Sequence, residues 1–495
     1  MNQPSASLRR HWLCIAYAFP PINRSGTHRT LGFVRHLDAL GWDSTVLTVE
    51  PDGEPCDLEL LSRVPSSTTI LRAAWQIAHC RLSIADCRLP IGSSLRPGAG
   101  PLREASRVPS PLRAFVPSCL RPFFSHLLKT PDSRTGWIMP AVRRGLLDIQ
   151  RQGRSGTGAL CPGRSARRRP EVIYSTSPYV SAHLIALALH AWTRIPWVAD
   201  FRDPWRDSPF RSAARFRSLD RLDAWLERIV YRRASHVIFN TPTARLRACR
   251  RYPYLGTKAG TILNGFDGDL LAQVQPKRTA AADKVLLAHA GEFYGPRSPL
   301  PFFSALVQAI GHLPHLADRL EVLLLGPEHF NGTALRELAD QAHVGRWIRV
   351  LGRKSHLETL NILAGCDILL LIGSSGEGSD LQIPNKLFEY LALHRPILAA
   401  LVSTSPAVQI LRQAQADAII HEPDDSDGLS RSIVHLAQRR RMDATRTPPN
   451  SSSVAAFERS HRATELAAIF TRLTKHRFDQ RRTLPPQKAA DNSHG

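Results

Sequence analysis

Short apolar runs alternate with amphipathic stretches along most of this chain, and the two periods separate cleanly. Residues 12–19 (Trp-Leu-Cys-Ile-Ala-Tyr-Ala-Phe) form one continuous apolar run of strand length. Residues 27–40 place apolar side chains at helical spacing and stop before Gly41, where a helix C-terminus favours glycine. Residues 44–49 form a β-branched strand. Strand, helix and strand at this spacing predict a parallel βαβ unit. The rhythm returns at 172–175 and runs through a helix over 180–193, a strand at 197–201, an amphipathic helix over 219–234 and a strand at 236–240. Thr241-Pro242 then opens another helix, with an N-cap threonine and proline at the first helical position.

A second rhythm starts with a strand at 284–289. Strands at 321–325, 347–351, 367–372, 397–401 and 418–421 follow, alternating with helices over 302–312, 333–342, 355–365, 386–393 and 405–414. The fold class is therefore α/β: two Rossmann-like, doubly wound parallel-sheet lobes facing a cleft. The first lobe takes residues 1–267, a linker 268–282, the second lobe 283–456 and a terminal helix 457–474; the basic, polar tail 475–495 is expected to be disordered. Two stretches break the pattern. Residues 88–135 are rich in Pro, Ser, Gly and Arg and are expected as a long loop with short helices, and 151–170 as a disordered basic insertion.

Composition adds charge to this picture. The 495 residues carry 65 Lys and Arg against 42 Asp and Glu, a net charge of +23, which favours anionic partners. Its eight cysteines are scattered without a Cys-x-x-Cys pair, as expected of free thiols in a reducing compartment. The first apolar run is short and ends at Pro20-Pro21, so it reads as a first strand and not as a signal peptide. No window reaches the ~18 apolar residues of a membrane-spanning helix. The expected location is the cytoplasm, or the inner face of the cytoplasmic membrane as a peripheral protein.

Candidate chemistry lies at strand ends, where open α/β sheets bind ligands. Residues 383–389, Ile-Pro-Asn-Lys-Leu-Phe-Glu, follow a buried strand and a loop rich in Gly and Ser, then open a helix. Such a helix start favours anions. Lys386 sits in its first turn and Glu389 three residues on, hence on the same face. A cation for a diphosphate beside a carboxylate for ribose hydroxyls suits a nucleotide-sugar. Further phrases are Tyr17-Ala-Phe-Pro-Pro21, Ser175-Thr-Ser-Pro178, Val198-Ala-Asp-Phe-Arg-Asp-Pro-Trp205 and His289-Ala-Gly-Glu-Phe-Tyr-Gly-Pro-Arg297.

Together these phrases resemble glycosyltransferase family 4, the group 1 glycosyltransferases of the GT-B fold. The resemblance implies retaining, metal-independent transfer of a sugar from a nucleotide-sugar donor to a hydroxyl of a glycan or lipid-linked acceptor, in surface-polysaccharide synthesis. The nucleotide-sugar is a substrate, and no cofactor or metal is expected; no Asp-x-Asp pair of the metal-binding sort is read in the chain. On the donor side it implies Gly291, Arg297, Ser374, Ser375, Lys386 and Glu389, with Arg297 and Lys386 holding the diphosphate and stabilising its developing charge. On the acceptor side it implies Gly26, with Arg29 as a cleft cation and Asp200 or Asp203 orienting the acceptor or removing its proton. His28 and His183 stand in for a histidine that many relatives carry near the Asp200 phrase.

One position departs from the pattern. Family members carry two glutamates separated by seven residues; Glu389 fits the second, but the first falls on Leu381, with Glu377 and Asp380 nearby. Two alternatives remain open on sequence: a nucleotide-sugar epimerase of the same architecture, and a catalytically degenerate relative that binds anionic lipid or nucleic acid. Against nucleic acid, no aromatic-interleaved basic motif or helix-turn-helix signature is present.

Overall fold

Seven parallel strands build the first sheet: β1 (Arg10–Ala16), β2 (Trp42–Val49), β3 (Thr69–Ala73), β4 (Val172–Thr176), β5 (Trp197–Phe201), β6 (His236–Phe239) and β7 (Ala259–Thr261). The computed structural model describes residues 9–75, 130–154, 168–208, 216–439 and 451–482. The strand order is β3-β2-β1-β4-β5-β6-β7, so the winding direction reverses between β1 and β4. Buried parallel strands need both faces covered, which is why they read as continuous apolar runs. Helices α1 (Ser25–Ala39) and α2 (Glu59–Ser62) come from the first half of the lobe. Helices α3 (Ile138–Arg154), α4 (Ser181–Thr193), α5 (Arg217–Arg233) and α6 (Pro242–Arg251) form the layer on one face, where Ala141, Ile185, Val230 and Ala248 join one apolar core. As its sequence indicates, α6 starts with the Thr241 hydroxyl accepting from the Ala244 amide.

A short helix α7 (Gly268–Leu271) opens the linker. The second sheet is again all parallel, in the order β12-β9-β8-β13-β14-β15. Its strands are β8 (Val285–Ala290), β9 (Leu320–Leu325), β12 (Ile348–Gly352), β13 (Ile368–Ile372), β14 (Ile397–Ala400) and β15 (Ala418–His421), and a small hairpin pairs β10 (His329–Phe330) with β11 (Thr333–Ala334). Helices α8 (Leu300–His312), α9 (Leu335–Gln341), α10 (His356–Ala364), α11 (Lys386–Ala392), α12 (Pro406–Gln413) and α13 (Ser426–Arg439) flank it. Helix α13 was not anticipated, although Leu429, Ile433 and Leu436 are buried at helical spacing.

After α14 (Ser451–Ala455) the chain crosses back. The terminal helix α15 (Arg459–Arg482) covers the second face of the first sheet, burying Ala463, Leu466 and Phe470 against Trp12, Phe33 and Tyr174. It runs past residue 474, where the sequence reading places a frayed tail. Residues 151–154 likewise belong to α3 and not to an irregular insertion. The rest of that insertion to 167, residues 88–129 of the long loop and the tail beyond 482 lie outside the described residues.

Candidate active site

The carboxyl ends of both sheets open on one cleft, a cavity of about 840 Å³. The first lobe lines it with Gly26, His28, Arg202 and Asp203; the second contributes Gly291, Arg297, His356, Gln382, Lys386 and Glu389.

Lys386 is the first residue of α11. Its Nζ lies 2.8 Å from Nε2 of His289, and Nδ1 of His289 lies 3.0 Å from the Leu370 carbonyl. A carbonyl only accepts, so Nδ1 carries the proton and Nε2 accepts from Lys386. Burial pushes the Lys386 pKa well below its ordinary value, Arg297 adds to that and Glu389 opposes it. His289 is also lowered, by burial first and then by Lys386, which keeps the imidazole neutral. Gly291 is demanded twice: its φ is +128°, and a Cβ there would stand 3.0 Å from Nζ of Lys386. Leu387 and Phe388 amides already donate to the Pro384 and Asn385 carbonyls, so the helix start offers fewer free donors than its sequence suggests.

Arg297 reaches the cleft from a turn closed by its amide on the Tyr294 carbonyl at 3.0 Å. Its Nε is buried and has no hydrogen-bond partner among the described residues. Ser374 shares a small recess with Arg297, and its buried hydroxyl is also unpaired. Ser375 does not join them: both its amide and its hydroxyl bond the Pro296 carbonyl at 3.2 Å. Glu389 faces the cleft but is engaged by Nε2 of His356 at 2.9 Å. Burial raises its pKa, yet His356 and Arg459 more than offset this and hold it below the ordinary value. The His356 ring in turn meets the His28 ring from the opposite lobe at a tilt of 54°, 4.3 Å between centroids.

On the acceptor side two expectations are corrected. Asp200 is fully buried and does not face the cleft. Its oxygens accept from Arg29 Nε and Nη2 at 3.0 Å, from the Tyr174 hydroxyl at 2.5 Å and from Thr176 at 3.0 Å. Arg29 is correspondingly no cleft cation; its remaining donors meet the carbonyls of Ile262 and Leu263 and the side chain of Asn264. The pair ties α1 to β5 and to the exit of β7. His183 is equally remote, buried with Nδ1 2.8 Å from the Ser175 hydroxyl.

Asp203, three residues past Asp200, does line the cleft. Its Oδ1 accepts from Gln382 Nε2 at 3.0 Å, across the lobes. Burial raises its pKa, opposed by Arg202 and Arg297. Gly26 admits Arg202, since a Cβ there would meet Nη1 at 2.6 Å.

Leu381 explains the missing glutamate. It is 2 % exposed and packs in the apolar core of the first lobe. Its carbonyl accepts from the Thr241 hydroxyl at 2.9 Å, the Asp380 carbonyl from Thr243 at 3.1 Å, and the Asp380 carboxylate from Arg247 at 3.0 Å. The loop is thus docked onto the N-terminal turn of α6. Asp380 is committed to that contact and Glu377 is exposed outside the cleft lining, so neither substitutes for the glutamate.

His289, His356 and Gln382 were not singled out by sequence. Each gains meaning only from a partner distant in the chain: Lys386, Glu389 and Asp203. Two Asp-x-Asp spacings do occur, Asp267-Gly268-Asp269 and Asp425-Ser426-Asp427. Asp267 and Asp269 are paired with Arg35, and Asp267 also with Arg63; among the described residues no group of three His, Cys, Asp or Glu side chains could hold a metal.

Residues 26–254, nearly the whole first lobe, match the family profile described as a glycosyl transferase 4-like domain. Over that stretch, just under half of the chain, it is similar to the glycosyl transferase 4-like domains. The two-lobed architecture agrees across almost its whole length. Sucrose-phosphate synthase from Thermosynechococcus elongatus superposes with a TM-score of 0.61 at 14 % identity, covering 94 % of this chain and all of that one. A glycosyltransferase from Rickettsia africae gives 0.56 at 12 % identity, covering 94 % and 99 %. Anabaena HepE, solved in complex with UDP-glucose, gives 0.54 at 12 % identity, covering 93 % and 99 %. At such identities the likeness establishes the GT-B fold. No curated protein matches the sequence.

Proposed function

We propose that this protein moves a sugar from a nucleotide-sugar, held by the second lobe, to a hydroxyl of an acceptor held by the first, with retention at the anomeric carbon. The observation that carries the reading is that two cations line one cleft, Lys386 against Gly291 at the end of β8 and Arg297 near enough to help lower the Lys386 pKa. A donor diphosphate there would satisfy the unpaired Nε of Arg297 and draw the Lys386 ammonium away from His289. It would also favour the charged form that burial now opposes. When the bond from sugar to diphosphate breaks, both cations stabilise the charge left on the leaving group. Asp203 faces the acceptor side, where its Oδ2 can accept from an incoming hydroxyl while Gln382 fixes the carboxylate plane. In this reading Glu389, held by His356, meets the donor ribose hydroxyls.

The likeness to a UDP-glucose-bound protein supports a nucleotide-sugar donor. The strongly basic balance supports a lipid-linked or surface-polysaccharide acceptor reached from the cytoplasm at an anionic membrane surface. No described helix is long and apolar enough to cross a membrane. The test is calorimetry and thermal shift against UDP-, GDP-, ADP- and CMP-sugars. One nucleotide should bind and stabilise the wild type, and Lys386→Ala should lose that response; no response to any of them removes the donor site.

A further inference from the structure

Helix α5 is two-faced in an unusual way. Its acids point inward or sideways: Asp223 is fully buried, Glu227 is 2 % exposed and accepts from the Tyr252 hydroxyl, and Asp220 pairs with Arg206. Its outer face carries Arg217, Arg221, Trp225, Arg228 and Arg232, all exposed, at the i, i+4, i+8, i+11 and i+15 spacing of one stripe. Trp225 is 57 % exposed at the centre of that stripe. None of the four arginines forms an ion pair with a described residue, whereas an ordinary solvated helix face intersperses both signs. Other helices of the same layer also expose apolar side chains, Met139 of α3 and Leu246 of α6.

A face of cations around an exposed indole fits one chemistry well. Arginines meet anionic headgroups, and the amphipathic tryptophan sits at the depth where headgroups give way to acyl chains. We propose that the outer face of α5 docks this protein on an anionic lipid bilayer. This deepens the membrane part of the function proposed above. It places the contact on the acceptor lobe, away from Lys386 and Arg297, so a lipid-linked acceptor is presented to the lobe that receives it.

The test is co-sedimentation of the full chain with vesicles of phosphatidylcholine containing phosphatidylglycerol, and with phosphatidylcholine alone. The wild type should pellet only with the anionic vesicles, and raising salt should release it. Each arginine near such a surface contributes about fivefold, so Arg221→Gln with Arg228→Gln should weaken binding roughly 30-fold. Trp225→Ala should weaken it further without changing the salt dependence. These side chains are exposed, so both variants should keep the wild-type melting temperature and the stabilisation by donor nucleotide. Loss of lipid binding with the nucleotide response intact supports the docking face; equal pelleting with neutral vesicles, unchanged binding by the double variant, or binding to DNA in place of lipid overturns it. A wild type that binds lipid through α5 but no nucleotide would sink the donor reading and leave the docking face standing.

Discussion

Two carboxylates three residues apart end up with unrelated jobs. Asp200 is locked to Arg29 by two hydrogen bonds inside the first lobe, while Asp203 lines the cleft. If Asp203 orients the acceptor, Asp203→Asn should lower kcat by about 10²-fold or more while leaving donor affinity unchanged. A kcat within twofold of wild type would assign Asp203 to lobe contact alone. Asp200→Asn should act on folding instead, because it leaves a buried guanidinium without its counter-charge, at a cost of about 3–5 kcal/mol in denaturant unfolding. His183 carries a separate, pH-linked cost. Burial drives its pKa from 6.5 down to about 3. The unfolded chain therefore takes up a proton below pH 6.5 that the folded chain refuses. Its contribution to stability is full above that pH, shrinks at about 1.4 kcal/mol per pH unit below it, and is gone near the folded value. His183→Asn keeps an acceptor for Ser175 but cannot titrate, so stability measured from pH 8 to pH 4.5 should fall less steeply; an unchanged slope would show that this histidine is not the source.

Elements were the most legible scale. Strand β5 falls on the residues that the apolar run marks, because a fully buried parallel strand leaves no freedom in its pattern. Lys386 and Glu389 were legible for a similar reason, since helical spacing alone places them together. What the sequence could not disclose is any pairing across the lobes: Asp203 with Gln382, His28 with His356, or Leu381 with the core beneath α6. Local pattern carries no information about a contact whose partners share no element. The Leu381 contact has a consequence for the loop as a unit. Leu381→Glu would recreate the spacing of two glutamates but put a carboxylate into an apolar core. The variant should melt lower and gain no donor affinity, and tighter nucleotide binding by calorimetry would show that the loop can swing free.

Across the whole molecule, the chain passes between the lobes twice and the two passages are bonded to each other. The Phe266 amide donates to the Phe457 carbonyl at 3.2 Å, and the Arg459 amide to the Phe266 carbonyl at 2.9 Å. Gly265 permits this, since a Cβ there would lie 2.1 Å from the Phe457 oxygen. Beyond the second passage, Phe470 packs edge-on against Trp42 and Tyr174. Phe470→Ala should cost about 3–5 kcal/mol, seen in denaturant unfolding of the first lobe. The lobes are therefore distinct in space yet not detachable along the chain. A second lobe grafted from a relative at a single junction would leave the recipient's first lobe without its own last helix over Trp12 and Tyr174. Any exchange of the second lobe by recombination, in the laboratory or in evolution, needs two cuts placed on either side of this doubled seam.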